Sequence, residues 1–146
     1  MIRIEFPAWP FRIKKENEKE LIFDELRKQW LRLTPEEWVR QNFLQYLLQV
    51  KRYPSAMIAI EKEIRLGELR KRFDILVYDT NHHPWLIVEC KSMDVQLSEE
   101  VLNQALRYNI AVPVPYLVIT NGQYCAGYVK QNGKLQEVAA LPDFGN

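Results

Sequence analysis

The chain has 146 residues, 47% of them hydrophobic and 27% charged, the make-up of one ordinary globular domain able to bury roughly two-thirds of its unfolded surface. A formal net charge of +1 argues against a histone-like mode of nucleic-acid binding. Two cysteines, Cys90 and Cys125, make no disulfide framework, and no CxxC metal knuckle is present. No apolar run approaches the ~20 residues of a membrane span, and Met1 to Phe6 lack the basic start and apolar stretch of a signal peptide. A cytoplasmic protein is expected.

Residues 1–15 alternate apolar positions around Pro7 and Pro10, which suits a short edge strand or an arm. Glu16 to Leu31 is charged and amphipathic, and a helix there would align Leu21, Ile22, Leu26 and Trp30. Thr34-Pro35-Glu36-Glu37 is a helix start, with Thr34 at the N-cap, Pro35 at the first helical position and Glu37 completing a capping box. The helix continues to Lys51 on an apolar stripe of Val39, Phe43, Tyr46, Leu47 and Val50, and Tyr53-Pro54 ends it. Met57 to Arg65 reads as a strand, with Leu66-Gly67-Glu68 as its turn.

Two further strands follow, around Asp74 and Glu89, and their apolar residues occur on both faces, as in a covered central sheet. Ser98 is an N-cap for a helix from Glu99 to about Asn109. Tyr116 to Thr120 is a short strand. Strand, helix and strand at this spacing predict a crossover, with the last strand parallel to the Glu89 strand. Asn121-Gly122 and Asn132-Gly133 then mark hairpins into Gln123–Val129 and Leu135–Val138.

The Asp74 and Glu89 strands hold an aspartate, a glutamate and a lysine (Lys91) in otherwise apolar sequence, although charges are rarely buried without a partner. If Thr80 to His83 form a four-residue loop, Asp79 pairs with Pro84 and Asp74 lies opposite Glu89. Opposed residues have Cβ atoms roughly 4.5–5.5 Å apart, near enough for two carboxylates to share one cation. Alternation puts Lys91 on the same face as Glu89. The bland alternative is an Asp74–Lys91 or Glu89–Arg72 ion pair. Arg65, Arg70, Lys71 and Arg72 form a local basic cluster, a nucleic-acid contact or simply a solvated strand start. Gln104 and Tyr108 share a helical face. His82 and His83 read as polar loop residues, and Cys90 as a buried small hydrophobe.

The spacing D-x14-E-x-K followed by Gln104-x-x-x-Tyr108 resembles the PD-(D/E)XK nuclease superfamily. More narrowly, the chain is similar to the amino-terminal nuclease domain of type I restriction enzyme R subunits. The matching stretches are Leu33–Gln41, Lys71–Asp74, Ile87–Lys91, Gln104–Asn109 and Tyr116–Gly122, and the likeness covers roughly residues 20 to 130. Phe73 stands where the superfamily name places a proline.

The resemblance implies a restriction-endonuclease-like α/β fold: a central mixed sheet flanked by helices, in the order helix, three antiparallel strands, crossover helix, parallel strand and trailing hairpin. One domain over residues 1–146 is expected, with a core of about 34–130 and an amino-terminal arm and helix over 1–33. The implied activity is Mg²⁺-dependent cleavage of DNA, by an endonuclease rather than an exonuclease, with Mn²⁺ able to substitute. Asp74 and Glu89 would bind the metal with the Cys90 carbonyl. Glu37 is slightly preferred to Glu36 and Glu63 as a further ligand. Lys91 would position the nucleophilic water, and Gln104 with Tyr108 would shape the site.

Arg70, Lys71, Arg72 and Arg107 are the candidate DNA contacts. No G-x-x-x-x-G-K-[ST] phosphate loop is present, so no ATP use is expected of these residues. A nuclease without a motor needs targeting, so a homodimer or a partner protein is expected. The alternative is a catalytically silent DNA-binding or assembly module of a restriction or defence system.

Overall fold

The structure, a computed structural model, describes residues 1–145, with the backbone alone described at Leu66. Asn146, the last residue of the expected domain, lies outside the described residues.

The described residues form ten strands and two α-helices: β1 (Ile2–Arg3), β2 (Ile13–Glu16), β3 (Lys19–Asp24), β4 (Gln29–Arg32), α1 (Pro35–Gln45), β5 (Ile58–Leu66), β6 (Leu69–Tyr78), β7 (Pro84–Cys90), α2 (Glu99–Asn109), β8 (Tyr116–Thr120), β9 (Tyr124–Gln131) and β10 (Lys134–Val138). The main sheet runs β1-β9-β8-β7-β6-β5, with β10 also pairing with β9. Its pairs are antiparallel except β7–β8, which are parallel and joined through α2, as the sequence spacing predicts. The helices cover opposite faces. Val39, Phe43 and Leu44 of α1, with Leu47 of the π turn that follows it, pack against Ile75, Val77, Leu86, Val88 and Cys90. Ala105, with Leu102 and Leu106, packs from α2 against Phe73, Leu76, Ile87, Leu117 and Ile119. Among the described residues no helix is long and apolar enough to cross a membrane.

The helix expected over Glu16–Leu31 is instead the three-stranded sheet β2-β3-β4. Asn17, Glu18 and Lys28 adopt positive φ, which turns the chain between these strands. Asp24 then closes the second turn by accepting hydrogen bonds from the Leu26 and Arg27 amides at 2.9 and 2.8 Å.

Both predicted helix starts are present. Thr34 Oγ1 accepts from the Glu37 amide at 3.0 Å, and Ser98 Oγ accepts from the Val101 amide at 3.3 Å. The capping box at Thr34 is half formed, because the Glu37 carboxylate is engaged elsewhere. The expected continuation of the first helix to Lys51 loosens into a π turn over Tyr46–Val50, with Lys51 N–H donating to the Tyr46 carbonyl at 3.0 Å.

Candidate active site

The β6–β7 ladder pairs Ile75 with Val88, Leu76 with Ile87 and Val77 with Leu86, and this register extended by one residue sets Asp74 against Glu89. The far end differs from expectation: a bulge after Val77 pairs Tyr78, not Asp79, with Pro84.

Despite that register, the two carboxylates do not share a face. Ile75 and Val77 pack on the α1 side, yet Phe73 packs on the α2 side, so the alternation of β6 breaks at Asp74. Strand β5 breaks opposite. Ile58 and Ile60 lie on the α1 side and Ile64 on the α2 side. The β5–β6 ladder steps from Ile60↔Ile75 to Lys62↔Phe73 without a Glu61–Asp74 pair, and Glu61 has φ +52°. The paired defect turns Asp74 towards α1 and leaves Glu89 towards α2.

Asp74 therefore lines an open cleft of about 490 Å³ with Thr34, Glu36, Glu37, Arg40, Glu61 and Ser92. Its partners are the Cys90 amide, donating to Oδ2 at 2.8 Å, and Arg40, donating to Oδ1 at 3.4 Å. Arg40 is the hub. Its Nε donates to Glu37 Oε2 at 3.0 Å, its Nη2 to Glu37 Oε1, and its Nη1 to Glu61 Oε1 at 2.9 Å. Arg27 bridges Asp24 and Glu61, and Gln41 bridges Asp24 and Glu37.

The four carboxylates of Asp24, Glu37, Glu61 and Asp74 thus face two guanidiniums, and the negative charge is in excess. Burial raises the Asp74 carboxyl above its ordinary range, against the Cys90 amide and Arg40, with Glu36 and Glu89 raising it further. Burial likewise opposes ionisation of Glu61, but Arg40 and then Arg27 prevail and hold it below the ordinary range.

Glu89 and Lys91 line a second cleft, of about 390 Å³, with Val95, Val101, Gln104, Ala105 and Tyr108. Lys91 Nζ is 3.9 Å from Glu89 Oε2, and the Lys91 amide donates to the Thr120 carbonyl at 2.8 Å across the parallel pair. Gln104 and Tyr108 face this cleft together, as their spacing predicts, and the Tyr108 ring is largely exposed. Cys90, between the clefts, is buried in the α1-side core, where burial pushes its thiol well up.

The basic cluster divides. Arg70, Arg72 and Arg107 are exposed, Arg70 lying 3.8 Å from Glu63. Lys71 is withdrawn: it is buried, donates to the Tyr108 carbonyl and stands 3.8 Å over the Tyr108 ring. Burial lowers its pKa, partly offset by Glu89. Lys71 thus holds the end of α2, not a surface for phosphates. Glu63 is exposed beside Arg65 and Arg70 and lines neither cleft, which removes it as a third carboxylate. Neither bland ion pair forms, since Asp74 pairs with Arg40.

Arg40, Glu61 and Asn109 are the residues that sequence reasoning missed. Among the described residues no three Asp, Glu, His or Cys side chains converge closely enough to hold a metal ion. The Arg40 guanidinium stands between Glu37, Glu61 and Asp74 and bridges all three.

A family profile described as type I restriction enzyme R protein N terminus matches residues 35–142. The chain belongs to this family. Of the stretches that carry the sequence resemblance, all but Leu33 and Thr34 fall within the match. A cryoEM structure of a DrdV–DNA complex is also similar, at 19% identity and a TM-score of 0.48, over 77% of this chain. The chain spans 11% of the length of that protein. No curated protein matches the chain.

Proposed function

We propose that this family member is a Mg²⁺-dependent deoxyribonuclease of the PD-(D/E)XK superfamily, with a restriction-endonuclease-like fold and endonucleolytic action. The observation that carries the reading is the gathering of Glu89, Lys91, Gln104 and Tyr108 in one cleft, one residue from the Cys90 amide that binds Asp74. The donor chemistry fits Mg²⁺, which takes oxygen ligands and is usually bound through one or two carboxylates. The acidic cleft also carries more carboxylates than guanidiniums.

Asp74, Glu89 and the Cys90 carbonyl would hold the cation, with Glu37 or Glu61 as a further carboxylate and Mn²⁺ as a substitute. The bound ion would neutralise charge on the phosphate and lower the pKa of water. Lys91, an exposed ammonium beside Glu89, orients the attacking water or stabilises charge on the phosphate. Gln104 donates or accepts at the same cleft, and the exposed Tyr108 ring lies where the substrate passes. Arg70, Arg72 and Arg107 supply exposed positive charge for DNA phosphates. The protein acts in the cytoplasm, these 146 residues carry no phosphate-binding loop for ATP, and a partner protein or a second copy provides targeting.

A second reading has an observation of its own. Asp74 is paired with Arg40 and lines a different cleft from Glu89, as expected of a silent DNA-binding or assembly module. Cleavage of supercoiled plasmid and labelled DNA with Mg²⁺, Mn²⁺ or EDTA separates the two. Metal-dependent cutting, lost in folded Asp74→Ala and Lys91→Ala, supports the nuclease. DNA binding without cutting under every condition supports the silent module.

A further inference from the structure

The end of α2 contains a buried polar atom that nothing satisfies. Asn109 is 3% exposed. Its Nδ2 donates to the Ala105 carbonyl at 2.9 Å and to Glu89 Oε1 at 3.2 Å, while its Oδ1 is buried with no hydrogen-bond partner. Buried acceptors are nearly always paired, and an orphan destabilises the folded state by losing its water. Leucine, of similar size, would sit beside Ala105 without that loss. Stability therefore does not explain an asparagine here.

Its contact with Glu89 does. The two carboxylate oxygens of Glu89 are held separately, Oε1 by the Asn109 amide and Oε2 towards Lys91. An amide donor fixes a carboxylate without bringing a counter-charge, whereas a guanidinium brings one, as Arg40 does beside Asp74. The amide is itself anchored. Its Nδ2 is tied one helical turn back, and the adjacent Tyr108 carbonyl receives the Lys71 ammonium from β6. Partners of this kind, which orient a ligating side chain, govern metal affinity.

We infer that Asn109 is a positioning residue: it holds the Glu89 carboxylate aimed for a divalent cation and the phosphate it serves, and is retained at a cost in stability. This rests on Glu89 being a metal ligand.

The test compares wild type with Asn109→Leu by thermal melting, by calorimetric titration with Mn²⁺, and by steady-state cleavage of DNA. The expected result is a melting temperature equal to or above wild type, a Mn²⁺ affinity at least about tenfold weaker, and a reduced kcat with KM for DNA unchanged. Asn109→Ala, which leaves only a small gap, is measured the same way should leucine fail to fold. A destabilised variant with unchanged Mn²⁺ affinity overturns the inference and leaves Asn109 a structural residue. If wild type binds Mn²⁺ and cuts while Asn109→Leu matches it, positioning fails and the nuclease reading stands. If wild type neither binds Mn²⁺ nor cuts, the ligand role of Glu89 fails and the inference with it.

Discussion

Replacing Arg40 with methionine removes the guanidinium that faces Glu37, Glu61 and Asp74, while keeping most of the apolar stem in place. The three carboxylates would feel this unequally. Glu37, with a side chain 7% exposed, would keep only its bond from Gln41. Asp74, at 22%, would keep the Cys90 amide. Glu61 is more exposed and retains Arg27, so its share is small. Breaking a buried ion pair by removing one partner costs about 3–5 kcal/mol, and Glu37 should account for most of it. At roughly 2–4 °C per kcal/mol for a domain of this size, the melting temperature should fall by roughly 6–20 °C.

Urea unfolding followed by circular dichroism measures the loss directly, with an unchanged m-value showing that stability alone has moved. Adding Glu37→Gln to Arg40→Met should recover part of the loss, because the most buried stranded charge is then gone. Magnesium should raise the melting temperature of Arg40→Met more than that of wild type, since the cleft has lost its internal cation. A loss under about 1 kcal/mol, the range of an exposed pair, refutes the assigned role of Arg40. So does a double variant no more stable than the single one.

Glu61→Gln should show a pH-dependent penalty. The lowered Glu61 carboxyl contributes stability that is full above its ordinary value of 4.5 and lost as pH falls through the lowered one. The gap to wild type in melting temperature should hold from neutral pH to about 4.5 and close below it; a gap that widens in acid contradicts the ion-pair account. Asp74 has the opposite sign. Its raised carboxyl contributes stability below its ordinary value of 3.8 and loses it as pH rises through the raised value. Asp74→Asn should therefore melt at or above wild type at pH 7 while abolishing cutting, and a large loss at pH 7 counts against this. Gly122 has φ +91°, and an added Cβ would lie 3.2 Å from Val39 Cγ2 and 3.3 Å from Met93 Cγ. Gly122→Ala should cost about 1–2 kcal/mol from the left-handed backbone alone, and an unchanged melting curve would show that the turn relaxes.

Elements written in local chemistry were legible in the sequence. The caps at Thr34 and Ser98, the apolar strands β6 and β7 and the Asn-Gly hairpins all depend on residues a few positions apart, and the parallel crossover to β8 follows from the order strand, helix, strand. The segment Glu16–Leu31 was not, because Leu21, Ile22, Leu26 and Trp30 fit a helical stripe as well as they fit strands. What decides it is Asp24, whose carboxylate binds the following turn and also Gln41 of α1, seventeen residues away.

The candidate site divides the same way. Gln104 with Tyr108, and Glu89 with Lys91, follow from one period each on one element. The position of Asp74 does not. It depends on a defect shared by two strands, with Glu61 in a left-handed conformation across from it. Arg40 then appears as a partner only once α1 is laid over that defect.

Features that break local rules are concentrated around these clefts. Glu61, a non-glycine residue inside a strand, holds a positive φ, a strain of order 1–3 kcal/mol. Asn109 leaves a buried acceptor without a protein donor, and Asp74 keeps a carboxylate whose ionisation burial opposes. Elsewhere the α1 helix start, the α2 cap and the β8–β9 turn follow their local chemistry, and positive φ at Asn17, Glu18, Lys28, His82 and Asn132 occurs in turns, with Arg52 (φ +59°), just after the π turn, as an exception away from the clefts. A fold under selection for stability alone would lose such exceptions one by one, since each can be removed by a single substitution. Local rules are broken most often at functional or strained sites, and three of these exceptions lie around Asp74 and Glu89. The Cys90 peptide lies between the two clefts, with its N–H on Asp74 and Glu89 immediately before it. Any ligand that engages both carboxylates must therefore act across that peptide and in competition with Arg40.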